Sequence, residues 1–221
     1  MLYSVKAGLL GTGVFRGQVP GSDPQTEIEE ALRFLKAGGV VVLPTDTLYG
    51  LGVDVFSEPA LRRVFAIKGR PAELALPVLV ADWEQMQLVA DRVPEVGWLL
   101  ARRFWPGTLT LVLPRSPRLS ALVSGGKDTV AVRMPDHWVP KALAARLGAP
   151  ITGTSANRSG AADALTVAAV ETQLGPQVDY IVRCGPAPRG VPSTVVDVTG
   201  ETPRLVRPGA LPFDQILKAC G

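Results

Sequence analysis

A single histidine, His137, and two cysteines, Cys184 and Cys220, are the only imidazole and thiol groups in this 221-residue chain. One imidazole excludes a metal cluster built on histidines and any mechanism that needs two of them. The cysteines have neither a zinc-site spacing nor a disulfide pattern, which points to a reducing, cytoplasmic home. Long apolar runs are also missing. The N-terminal stretch MLYSVKAGLLGTGVF is broken by Gly8, Gly11 and Gly13, so it is too short to span a membrane and lacks a secretory cleavage pattern. Nor are charges massed. Twenty-three Lys and Arg against 20 Asp and Glu leave a net +3, scattered along the chain. That permits an anionic ligand but gives no basic run of the kind that marks a nucleic-acid binder.

Several motifs are near misses. GTGVFRG (Gly11 to Gly17) is one residue off the dinucleotide fingerprint, and no apolar strand leads into it. SGGK (Ser124 to Lys127) matches a Ser-x-x-Lys pattern without its companion motifs. There is no Walker loop. No repeat or linker divides the chain, so one domain over residues 1–221 is expected, with no role assigned to residues 1–22.

What is present is a compact globular pattern, with 47% hydrophobic and 19% charged residues. Asp23-Pro24 followed by Ile28, Ala31, Leu32 and Leu35 predicts a helix closed by Gly38-Gly39. Val40 to Leu43 reads as a buried strand, and Ser57 caps a second helix that ends near Lys68. Strands are predicted at 77–80, 108–113, 129–133 and 150–152, and again near 180–182, 194–198 and 205–206. Helices are predicted between about 81 and 104, over 139–147, from Thr166, and over 213–219. His137 reads as a helix-entry residue. The fold class is α/β: a twisted mixed parallel and antiparallel sheet flanked by helices.

Four polar stretches at the ends of apolar runs carry the chemistry. In KGRP, Arg70 offers a planar fork for phosphate and Lys68 a compact charge two residues away. If the segment is extended, both cations face one anion; the other reading is a helix C-terminus decorated with cations. TSANRSG supplies hydroxyls and amides from Thr154, Ser155 and Asn157, suited either to phosphate oxygens or to a turn. In PTDTLYGLG, Thr45, Asp46 and Thr47 follow a strand, with Asp46 read as a turn or cap residue. Arg133 ends the apolar strand TVAVR, where a charge requires a carboxylate partner, from the protein or from a substrate.

Together and in order, PTDTLYGLG, KGRP, FWPGTLTLVL, VAVRMPDH, TSANRSG, STVVDVTG and LVRPG resemble the YrdC family from about Thr26 to the C-terminus. The members of that family are threonylcarbamoyl-AMP synthases. The resemblance implies a wide, positively lined cavity and a reaction of L-threonine, bicarbonate and ATP. Mg²⁺ would arrive on the ATP phosphates, with no metal site of the protein's own. It further implies that Thr47, Arg133 and Ser193 hold threonine or its carbamate. Lys68, Arg70, Thr129, Ser155, Asn157 and Arg207 would hold the nucleotide, with Lys68 and Arg70 serving catalysis. Leu74, Leu79 and Ala164 depart from the family pattern. The chain stops soon after LVRPG, so it resembles the short forms that work beside separate partners of tRNA threonylcarbamoyl transfer. Contact with tRNA or double-stranded RNA and carbamoyl-adenylate chemistry of the hydrogenase-maturation type are the alternatives.

Overall fold

The computed structural model describes residues 23–221, so the expectation for residues 1–22 lies outside it. Helix α1 (Pro24–Lys36) starts where the Asp23 carboxylate accepts from Thr26 N, and it buries Ile28, Ala31, Leu32 and Leu35. Strand β1 (Val41–Leu43) is buried throughout. The chain then returns antiparallel as β2 (Gly50–Gly52), with Val41 opposite Gly52. The sequence predicts no strand there. Gly52 suits the close packing there, because a Cβ on it would lie 2.6 Å from the tip of the Leu43 side chain, which would have to shift. Helix α2 (Glu58–Lys68) ends on Gly69, whose φ of +57° turns the chain away.

Next come β3 (Val78–Leu79), α3 (Trp83–Val89) and α4 (Glu95–Phe104). Strand β4 (Leu109–Pro114) leads through the single turn α5 (Ala121–Ser124) to β5 (Thr129–Arg133). His137 caps α6 (Trp138–Leu147), its Nδ1 accepting from Val139 N at 3.2 Å, as its position predicts. Strands β6 (Ile151–Thr152) and β7 (Thr154–Ser155) follow, then α7 (Val167–Leu174). Strands β8 (Tyr180–Ile181), β9 (Thr194–Asp197) and β10 (Arg204–Arg207) precede α8 (Phe213–Lys218).

The expected single sheet is two. One has the order β7-β2-β1-β8 and the other β10-β9-β4-β5-β3-β6. Each mixes parallel and antiparallel pairs: β1 runs parallel to β8 and antiparallel to β2, while β4 runs parallel to β9 and antiparallel to β5. The larger core lies on one face of the six-stranded sheet, where Leu109, Leu111, Leu113, Val130, Val132 and Val196 meet α4 and its neighbours. A smaller core packs α1 and α6 on β1. Alternation does the rest: with one face of β4, β5 and β9 committed to the core, the intervening residues must face the other way.

Candidate functional site

Those intervening residues line a cavity of about 560 Å³. Thr129, Ala131 and Arg133 enter it from β5, Thr110 and Val112 from β4, and Ser193, Val195 and Asp197 along β9. Strand β10 contributes Arg204, Val206 and Arg207. In a regular strand Arg207 would face away from Arg204 and Val206. A register irregularity between Leu205 and Arg207 brings it to the same side. Five cations (Arg70, Lys127, Arg133, Arg204 and Arg207) and two carboxylates (Asp163 and Asp197) line the space.

At one end sits Arg133, 4% exposed. Its Nε donates to Gly107 O at 2.8 Å and its Nη1 to Thr47 Oγ1 at 2.7 Å, while Nη2 pairs with Asp46 Oδ1. The carboxylate partner is therefore a residue of the protein. Asp46 is a buried counterion, a correction to its reading as a turn or cap residue. The turn bonding falls to Thr45, whose Oγ1 donates to Leu48 O at 2.7 Å and accepts from Thr47 N at 3.1 Å. Burial pulls the Arg133 guanidinium below its ordinary pKa, and the Asp46 charge opposes that shift. Nearby, Ser193 Oγ shares a hydrogen bond of 2.7 Å with Thr110 Oγ1, and Arg207 Nη2 donates to Ser193 O at 2.8 Å. Gly209 makes that approach possible. A Cβ there would fall 2.4 Å from the Ser193 carbonyl carbon.

KGRP is not extended. Lys68 closes α2, and Gly69 sends Arg70 elsewhere. Lys68 is buried, and Nζ donates to Ser155 O at 2.5 Å, Asn157 O at 2.7 Å and Asn157 Oδ1 at 3.2 Å. All three ammonium protons thus go to the TSAN segment. Burial, and next the Arg70 charge, lower its pKa to about 8. Arg70 reaches the cavity wall and braces the following loop, with Nη2 donating to Ala75 O at 2.9 Å. Ser155 Oγ donates to Asn157 Oδ1 at 2.6 Å, and Asn157 Nδ2 to Ala161 O at 2.7 Å.

Of the sequence-predicted residues, Thr47, Arg70, Thr129, Arg133, Ser155, Ser193 and Arg207 line the cavity together. Lys68 and Asn157 stand behind the wall, holding Ser155. Of the residues outside the family pattern, Leu79 lines the cavity, Leu74 is exposed and Ala164 is buried. Thr110, Lys127, Asp163 and Arg204 line the cavity too, without having been predicted as site residues. Thr110 was within reach, since alternation in TLTLVL separates the threonines from the leucines. Among the described residues no group of three or more His, Cys, Asp or Glu converges, and no helix is long and apolar enough to cross a membrane.

A cationic, hydroxyl-rich cavity on one face of a mixed sheet, in an α/β fold, has the chemistry that suits an anionic ligand. The Sua5/YciO/YrdC family model, described as telomere recombination, matches residues 33–209, and this chain belongs to that family. It is 42% identical over 195 residues to threonylcarbamoyl-AMP synthase of Pyrococcus abyssi, covering 88% of this chain and 57% of that one. Against threonylcarbamoyl-AMP synthase of Vibrio vulnificus it is 39% identical over 186 residues, 83% of this chain and 99% of that one. The structure of Pyrococcus abyssi Sua5 complexed with L-threonine superposes with a TM-score of 0.86 at 41% identity, covering 90% of this chain and 58% of that one. The chain thus spans under three-fifths of the length of its Pyrococcus relative.

Proposed function

We propose that this chain condenses L-threonine, bicarbonate and ATP to threonylcarbamoyl-AMP and pyrophosphate, the first step of threonylcarbamoyladenosine formation in tRNA. The observation that carries the reading is the cavity itself, with a buried arginine among hydroxyls at one end and further cations along its walls. Arg133, Thr47 and Ser193 receive threonine and its carbamate. Arg133 spends three of its five N–H bonds on protein acceptors, which leaves two for a carboxylate. Arg70, Arg207, Thr129 and Ser155 face the nucleotide, and Lys68 and Asn157 hold Ser155 in place.

The chemistry needs no side-chain nucleophile. The threonine amine and bicarbonate give a carbamate and water. A carbamate oxygen then bonds to the α-phosphorus as the bond to pyrophosphate breaks. An anion must approach a polyanion, so catalysis rests on positioning and on neutralising charge. The cations of the wall do both. Mg²⁺ carried on the ATP phosphates would meet an oxygen-donor wall in which Asp163 could accept one of its waters, and it would supply further charge neutralisation. Asp197 is already engaged by Thr199 and Arg204. The product is a reactive mixed anhydride, passed to partner proteins that transfer the threonylcarbamoyl group. Both cysteines are free, in keeping with a cytoplasmic setting.

The test is pyrophosphate release from ATP, Mg²⁺ and bicarbonate, with and without L-threonine. Release that depends on threonine, with serine a much poorer substrate, is expected. Release indifferent to threonine would overturn the reading.

A further inference from the structure

Asp46 faces away from the cavity that Thr45 and Thr47 line. It lines instead a second hollow of about 290 Å³, together with Arg103, Trp105, Asp136, Arg189 and Leu211. Only half of the Asp46 carboxylate is accounted for. Oδ1 holds Arg133, but Oδ2 is buried and no donor among the described residues reaches it. A buried carboxylate oxygen without a donor is costly, and a guanidinium is the partner best shaped to supply one.

Two guanidinium groups line the hollow. Arg103 lies 5.9 Å from the Phe104 ring centroid, in the last turn of α4, where the helix dipole favours a cation. Arg189 is exposed, and its side chain makes no hydrogen bond or ion pair with any described residue. Its position is telling. The next residue, Gly190, donates its N–H to Thr47 O at 2.9 Å, and the same loop continues into Pro192 and Ser193 of the cavity wall. One short loop therefore touches both sides of the buried ion pair.

We infer that Arg189 is a positioning residue, closing on Asp46 Oδ2 across the second hollow and so latching the 185–192 loop against the substrate cavity. With both oxygens held, the Asp46 carboxylate fixes the plane of the Arg133 guanidinium, and that plane must match an incoming amino-acid carboxylate. The latch acts through Arg133 and touches no reacting atom. Its kinetic consequence rests on the proposed function, whereas its structural consequence does not.

The experiment compares the full chain with Arg189→Ala and Arg189→Lys. Hydrogen exchange at the Gly190 amide, read without substrate, reports the latch. It is expected to quicken about tenfold in Arg189→Ala and to fall between the two in Arg189→Lys. KM for L-threonine is expected to rise roughly 3- to 10-fold in Arg189→Ala, with kcat within about twofold of the parent, because the residue shapes binding and not the chemical step. Gly190 exchange unchanged in Arg189→Ala overturns the latch. Protection regained by Arg189→Ala on adding Na⁺ or K⁺ would assign Oδ2 to a bound cation and overturn it too. A protein that shows the exchange effect yet never uses threonine would refute the proposed reaction and leave the latch standing.

Discussion

Removing one charge from the Asp46–Arg133 pair isolates what the buried ion pair contributes. The two side chains are 3% and 5% exposed, so neither charge can recover hydration when its partner is lost. Asp46→Asn leaves a buried guanidinium without a counterion. Arg133→Met leaves a buried carboxylate, and also strips donors from Thr47 Oγ1 and Gly107 O. Breaking a buried pair from one side costs about 3–5 kcal/mol. At roughly 2–4 °C per kcal/mol for a chain of this size, each single variant should melt about 6–20 °C lower. The double variant Asp46→Asn/Arg133→Met buries no charge. It should lose less than the two singles summed, by about 0.5–3 kcal/mol of coupling. Thermal and urea unfolding of the four proteins without ligands read the melting temperatures and the coupling. Singles that melt within about 3 °C of the parent, or a double that equals their sum, would refute the reasoning, because the pair would then be solvated or slack.

Lys68→Met should leave the fold intact but slow threonine-dependent pyrophosphate release by orders of magnitude, since Ser155 and Asn157 lose the ammonium that orders them; near-parent turnover would contradict this. The same residue sets a pH dependence. Its folded pKa of about 8 lies below the ordinary 10.5, so the charged form is disfavoured by folding. The resulting cost is complete below pH 8 and is relieved as pH rises from 8 toward 10.5. The stability difference between parent and Lys68→Met should therefore shift in the parent's favour across that window; urea midpoints that run parallel from pH 7 to 10 would argue against it. Gly209→Ala should push the Pro192–Ser193 backbone outward, cost about 1–3 kcal/mol and weaken threonine use, to be read as a lower melting temperature together with a raised KM.

The sequence by itself determined the elements and most of the polar groups. Apolar periodicity placed α1, β1, α2, β4, β5 and α6 close to where they lie, because 3.6- and 2-residue repeats are local and each element buries one side. Motifs in sequence order were enough to nominate Thr47, Arg70, Thr129, Arg133, Ser155, Ser193 and Arg207. The short strands β2 and β7 were not legible. Two- and three-residue strands exist only through their partners, and a glycine-rich segment shows no period of its own. Tertiary structure alone decided the division of labour among the charges. Lys68 and Arg70 are neighbours in sequence, yet a left-handed glycine sends one behind the wall and the other into it. Asp46 became a counterion because β5 delivers Arg133 from 87 residues away. Arg207 faces the cavity through an irregular strand register that no pattern in LVRPG announces. For the buried Lys68, Asp46 and Arg133 the deciding term is the cost of burying a charge, and that cost is set by which distant segment arrives beside it.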